Sequence, residues 1–192
     1  MLLWQHTALL NSLNNQPFIL MPTIKQAEIE QALDAWVNHL LTVTVPQATG
    51  KLAIVGLISH GDVLARRLVQ KLKEADIEAE YGALDITLYR DDLAITGIRP
   101  ALHSSYLPFS SDDMTLVLVD DVCFTGRTAR AAMDVIFEYG RPAKVELHCL
   151  ADKGGRQLPI HPDYAAFKLD SEATDKVRVR LQEIDGKEDI SY

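Results

Sequence analysis

The stretch Leu116-Val117-Leu118-Val119-Asp120-Asp121-Val122-Cys123-Phe124-Thr125-Gly126-Arg127-Thr128 constrains this chain more than any other. Its opening apolar run has no polar break, the pattern of a strand covered on both faces, as in a parallel sheet. Two adjacent carboxylates end it and a short Thr/Gly loop follows. Residues 128–139 then carry Ala131, Ala132, Val135, Ile136 and Tyr139 at helical spacing. Acids placed at a strand end can accept hydrogen bonds from a ribose diol or hold Mg²⁺ through water. Thr125, Gly126 and Thr128 can offer hydroxyls and backbone N–H groups to a phosphate, backed by the positive end of the helix. Gly126 lets the backbone come close. Groups for a sugar and groups for its phosphate therefore lie a few residues apart, about the length of a ribose phosphate. The Gly-x-x-x-x-Gly-Lys loop and the Gly-x-Gly-x-x-Gly fingerprint are absent from the sequence, which excludes the two commonest nucleotide-loop designs.

The rest of the chain repeats the alternation. Residues 23–41 place Ile24, Ala27, Ile29, Leu33, Trp36, Val37 and Leu40 on a helix, with Thr23 as its expected N-cap. Residues 51–57 are a second apolar strand. Ser59, His60 and Gly61 make a turn, and Asp62 is placed to cap a helix through Leu64, Leu68 and Leu72. Residues 77–88 read as extended, and residues 90–113 as a long loop or two-stranded arm. After the 128–139 helix, Gly140 stands where a left-handed C-terminal residue belongs and Pro142 bars continuation. Residues 144–151 form another strand, and strand-like pieces such as 176–184 follow. Strands alternating with helices predict an α/β fold of right-handed βαβ units, a mainly parallel sheet flanked by helices.

A chain of 192 residues buries one substantial core, so the expected organisation is an N-terminal extension, 1–20, and a single domain, 21–192. Met21 offers an alternative start. Gln5, His6, Asn11, Asn14, Asn15 and Gln16 break up the apolar stretches of the extension, leaving neither a membrane span nor a secretory signal. A formal charge of −8 argues against a uniformly basic nucleic-acid binder. Cys123 and Cys149, too few for a disulfide framework and without metal-ligand spacing, read as reduced thiols near or in the core. A cytoplasmic location follows as the expectation.

The thirteen-residue stretch resembles the phosphoribosyl-pyrophosphate signature of the type I phosphoribosyltransferases. From Ile24 onward the chain is similar to the PyrR family, bifunctional pyrimidine-operon attenuation regulators and uracil phosphoribosyltransferases. That similarity rests on residues 85–93, Asp-Ile-Thr-Leu-Tyr-Arg-Asp-Asp-Leu, on Tyr139-Gly140-Arg141-Pro142 and on Arg156-Gln157-Leu158-Pro159-Ile160. It implies the type I fold with a small hood and a flexible loop or arm. It also implies phosphoribosyl pyrophosphate, uracil and UMP as ligands, Mg²⁺ as cofactor, a homo-oligomer and, as a lesser partner, mRNA.

By that resemblance Asp120, Asp121 and Arg90 carry the catalytic roles, the two acids also holding Mg²⁺ through water. The substrate would lie against Ser59, His60 and Gly61 at the diphosphate. Asp120, Asp121, Val122, Cys123, Phe124, Thr125, Gly126, Arg127 and Thr128 would surround the ribose phosphate, with Lys153 and Val177 beside the base. Purine-salvage relatives carry an aspartate where Phe124 stands, which favours a pyrimidine. Many family members have Thr-Arg in place of Ser59-His60, so His60 is either a single donor to the diphosphate or an exposed loop histidine. Asp91 and Asp92 are either solvated or orient Arg90 and Mg²⁺. The alternative function is a UMP- or UTP-responsive RNA-binding attenuation regulator with little catalysis. Against it, Glu28, Glu30 and Asp34 outweigh Lys25 on the first helix, and Arg66, Arg67, Lys71 and Lys73 read as a solvated helix face.

Overall fold

The computed structural model describes residues 22–89, 104–169 and 176–192. The extension 1–20, Arg90, Asp91, Asp92 and most of the expected arm lie outside the described residues. The elements run β1 (Thr23–Lys25), α1 (Gln26–His39), a π-turn (Leu40–Thr44), α2 (Val45–Gln47), β2 (Leu52–Leu57), α3 (His60–Glu74) and β3 (Glu80–Leu84). A 3₁₀ turn (Thr87–Tyr89) precedes β4 (Thr115–Cys123), α4 (Arg127–Glu138), β5 (Lys144–Asp152) and β6 (Tyr164–Lys168). Then come β7 (Arg178–Arg180), α5 (Gln182–Asp185) and β8 (Asp189–Ser191).

The expected α/β architecture is present. Five parallel strands form one sheet in the order β3-β2-β4-β5-β6, and β1-β8-β7 form a small antiparallel sheet. Both faces of the large sheet are covered, which is why its central strands read as unbroken apolar runs. Ile54, Val117, Val119 and Leu150 pack under α1 and α3, in one cluster with Val179, Leu181 and Ile190 of the small sheet and its approach. Ala53, Val55, Leu116, Leu118 and Cys149 face α4. The strand order reverses between β2 and β4, because β3 is added on one side of β2 and β4, β5 and β6 on the other. A parallel sheet opens its ligand crevice at the carboxyl ends of such a pair.

Several local expectations shift. Thr23 does not cap α1. It pairs with Ser191 in the small sheet, and Lys25 takes the capping position, its N–H donating to Glu28 at 3.0 Å. Asp62 is not a cap either, because α3 already begins at His60 behind Ser59. Its carboxylate instead accepts from Arg66 Nε at 3.2 Å and from the Tyr81 hydroxyl. Strand β4 is longer than the apolar run, carrying Asp120 and Asp121 within it, since β5 stays paired alongside through Cys123. Gly140 has φ of 140°, not the left-handed helical value, and a side chain there would meet Ser111 and Asp112. Residues 176–184 hold only the short β7 and part of α5.

The basic face of α3 is not simply solvated. Arg67 bonds Glu183 at 2.6 Å and Glu188 at 2.5 Å, and Lys71 bonds Asp34 at 2.6 Å. Both cysteines are free and buried, as the sequence leads one to expect. No helix among the described residues is long and apolar enough to cross a membrane.

Candidate functional site

Two loops meet over the crevice between β2 and β4. The first, Ser59-His60-Gly61, leaves β2 through a cis peptide between Ile58 and Ser59. Close packing holds it there. A Cβ on Gly56 would stand 2.5 Å from the backbone of Gly61 and Asp62, and one on Gly61 would stand 2.4 Å from the Val119 carbonyl oxygen. Hydrogen is the only side chain that lets the start of α3 sit so tightly on the ends of β2 and β4.

The second loop leaves β4. Asp120 is nearly buried, and the Asp121 N–H donates to its Oδ1 at 2.9 Å. Loss of hydration, followed by the negative charge of Asp121, pushes the Asp120 carboxyl well above the usual carboxylate range. The Asp121 carboxylate accepts its neighbour Val122's N–H at 2.9 Å and remains partly exposed toward the crevice. Gly126, at φ 89°, turns the chain into α4. Ile160 and Leu158 lie 3.3 and 3.4 Å from where its Cβ would stand. The N–H groups of Gln157 and Leu158 both donate to the Thr125 carbonyl at 3.0 Å. Arg156 bridges the same parts, from the Phe124 carbonyl at 2.5 Å to Asp152 at 2.5 Å. Residues 156–160 thus form the wall behind the Thr-Gly turn, a use their sequence does not reveal.

Asp120, residues 122–129 and Leu147 line a cavity of about 280 Å³. Seven of the expected contact residues, Val122 through Thr128, are therefore together with Asp120 around one hollow. The Cys123 thiol, hydrogen-bonded to that of Cys149, is lowered from its ordinary range. Lys153 is buried with its Nζ 4.3 Å from the centre of the Phe124 ring, a cation–π arrangement. A Cβ on Gly155 would touch the same ring at 2.5 Å, so Gly155 also packs on Phe124, which remains partly exposed. Val177 is half-buried and packs on the cluster beneath α1 and α3, together with Val122.

His60 has a partner that the sequence did not mark. Its Nε2 lies 3.0 Å from Asp185 Oδ2, while Nδ1 lies 3.4 Å from Ser59 Oγ and 3.9 Å from Asp121 Oδ2. Asp185 also accepts the Leu181 N–H at 2.9 Å. That backbone bond first, and His60 second, hold the Asp185 carboxyl below its usual range. With His60 and Asp185 125 positions apart in the chain, no spacing rule could have joined them.

No group of three or more His, Cys, Asp or Glu converges as a metal cage among the described residues. Asp120 and Asp121 suit an ion that keeps several waters and shares its charge with a substrate phosphate, as Mg²⁺ does.

Residues 25–183 match the phosphoribosyl transferase domain family. The chain is 59% identical over 139 residues to the bifunctional protein PyrR of Akkermansia muciniphila, a match spanning 72% of this chain and 78% of that one. Against the bifunctional protein PyrR of Pelotomaculum thermopropionicum it is 46% identical over 147 residues, covering 75% and 80%. Among solved structures, the hypoxanthine phosphoribosyltransferase of Trypanosoma cruzi shares the fold at a TM-score of 0.65 and 15% identity, covering 90% of this chain and 93% of that one.

Proposed function

The chain belongs to the phosphoribosyltransferase family and, within it, to the bifunctional PyrR proteins, and from that premise we propose that it joins uracil to phosphoribosyl pyrophosphate, yielding UMP and pyrophosphate. The observation that carries this reading is the hollow at the end of β4 and the start of α4, lined by Asp120 and the Thr-Gly turn, with Asp121 next to Asp120 in the strand. Its size suits a ribose phosphate better than a whole nucleotide.

In this reading the backbone N–H groups and hydroxyls of residues 125–128 bind the 5′-phosphate. Asp120 and Asp121 accept the ribose hydroxyls and face the positive charge that grows on the sugar as its bond to pyrophosphate breaks. The Ser59-His60-Gly61 loop holds the departing pyrophosphate. Mg²⁺, held through water by Asp120 and Asp121, would supply charge neutralisation on the diphosphate. Arg90, outside the described residues, is assigned to the same charge. No nucleophilic side chain is required. Phe124, in contact with Lys153 and Gly155, puts an apolar ring where a purine enzyme would need a carboxylate, which supports a pyrimidine base. Lys153 and Val177 are the proposed neighbours of that base. We assign the protein to the cytoplasm as a homo-oligomer.

Labelled uracil, orotate and hypoxanthine, each incubated with phosphoribosyl pyrophosphate and Mg²⁺, test the proposal directly. UMP from uracil alone is the expected result, and nucleotide from hypoxanthine alone would overturn the base assignment. The shared name of the relatives, bifunctional, supports a second reading in which UMP or UTP governs binding to mRNA. The ion pairs made by Arg67 and Lys71 leave less free positive charge for such a partner than the sequence implies.

A further inference from the structure

Asp185 connects the small antiparallel sheet to the crevice. The segment that bears it is fastened on both sides. Arg67 on α3 grips Glu183 and Glu188, and Arg180 pairs with Asp189 at 2.6 Å. The carboxylate itself is tied to the backbone of Leu181, a fully buried residue of the shared core. The same oxygen that accepts the Leu181 N–H lies 3.0 Å from His60 Nε2. His60 opens α3, its backbone wedged against β4 by Gly61, yet its ring is partly exposed and depends on an outside contact for orientation. With one ring nitrogen turned to Asp185, the opposite edge, Nδ1, points toward Ser59 and Asp121, into the crevice.

From this juxtaposition we infer that Asp185 is a positioning residue for the diphosphate end of the site, acting through His60. The inference rests on the transferase reading, in which Ser59-His60-Gly61 receives the pyrophosphate. Asp185 takes the hydrogen on Nε2 and so fixes the imidazole, whose Nδ1 edge, beside Ser59, then faces the diphosphate end already oriented and can accept a hydrogen from Ser59 or from a water that bridges to the diphosphate. Without Asp185 the ring samples other rotamers, and diphosphate binding must stop that motion. The loss should therefore fall on the affinity for phosphoribosyl pyrophosphate and pyrophosphate. Uracil affinity and the turnover number at saturation should change little.

A double-mutant cycle on the full chain, read by pyrophosphate binding in a calorimeter with Mg²⁺ and by steady-state kinetics, separates this role from a structural one. Asp185→Ala is expected to weaken pyrophosphate and to raise KM for phosphoribosyl pyrophosphate roughly three- to tenfold, the range for one lost hydrogen bond. Asp185→Asn keeps a side-chain oxygen and should retain most of the native affinity. In a His60→Ala background, Asp185→Ala should do nothing more to pyrophosphate binding. An equal loss in that background would mean that Asp185 merely props α5, and the inference would be overturned, as it would by native affinity in Asp185→Ala. A native protein that binds no pyrophosphate and makes no nucleotide from any base would instead overturn the transferase reading and this inference together.

Discussion

Asp120 is a carboxyl that folding does not favour in its charged form. Burial and the adjacent Asp121 both raise it, so the folded state resists its ionisation more than the unfolded chain does. The sign follows from linkage. Below the ordinary aspartate range both states are protonated and nothing is lost, whereas rising pH draws protons off the unfolded chain first and stability declines. Asp120→Asn should therefore melt at a higher temperature than the native protein at pH 7. That gap should shrink as pH is lowered from the raised folded value toward the ordinary aspartate range and vanish below it, as thermal melts across pH would read. The double variant Asp120→Asn, Asp121→Asn should fold and yet make no UMP, and near-normal synthesis would sink the assignment of these acids to the ribose. These two acids were legible in the sequence because they are adjacent and end an apolar run. Asp185 was not, since its importance comes from a partner on another element.

At the scale of elements, two contacts fix how helices meet the large sheet. The start of α3 docks through Gly61, whose missing side chain is replaced by the Val119 carbonyl of β4. Gly61→Ala has no flexible side-chain neighbour to push aside, so the helix start must move. We expect a stability loss of about 1–3 kcal/mol in urea unfolding, as for other overpacked sites. Because the same movement displaces the Ser59-His60 loop, turnover should fall on the order of 10²-fold. Near-native kinetics in Gly61→Ala would show that the loop is not held by this contact. On the same face of the sheet, α1 meets β5 through a polar chain. Trp36 Nε1 donates to His148 Nδ1 at 2.9 Å, so the other imidazole nitrogen carries its hydrogen toward Glu146 at 3.0 Å. Glu146 also accepts from Thr44 at 2.8 Å and Lys144 at 2.6 Å. These bonds, His148 first, pull the Glu146 carboxyl down to about 2. A depressed carboxyl stabilises the fold above its unfolded pKa of about 4.3 and loses that contribution as pH falls toward its folded value. Glu146→Gln should cost about 1–2 kcal/mol at pH 7. Its stability should also vary less than the native protein's between those two pH values, which acid titrations of the unfolding midpoint would measure. Periodicity marked α1 and β5 correctly, but a His and a Glu two residues apart on an apolar strand did not announce a Trp partner 112 residues away.

For the whole molecule, the question is what holds the small sheet to the large one. Arg67 is one ionic tie among the described residues, and its partner Glu188 has a side chain only 3% exposed. Removing one member of such a pair leaves a buried charge without a counter-ion. Arg67→Ala should therefore cost on the order of 3 kcal/mol. Hydrogen exchange offers the sharper check. Amides of β7 and β8 should exchange faster in the variant, while those of β4 keep their protection. Uniform acceleration across both sheets would mean that the two unfold as one unit irrespective of Arg67. Spending Arg67, Arg66 and Lys71 on internal carboxylates also fits a molecule of net charge −8 whose chemistry is directed at a small anion.

The sequence by itself determined the alternation of strands and helices, the two-sided burial of β2 and β4, and the acid pair followed by a phosphate-type turn. Each of these is a property of neighbours along the chain, expressed as period, composition or adjacency. Tertiary structure alone decided that Thr23 pairs rather than caps, that Asp62 turns to Tyr81, that Leu158 and Ile160 back Gly126, and that Asp185 reaches His60. Those outcomes depend on which distant groups the sheet order brings within hydrogen-bond or van der Waals range. Such energies are set by separations of a few ångströms in space and carry no signature in the spacing of residues along the chain.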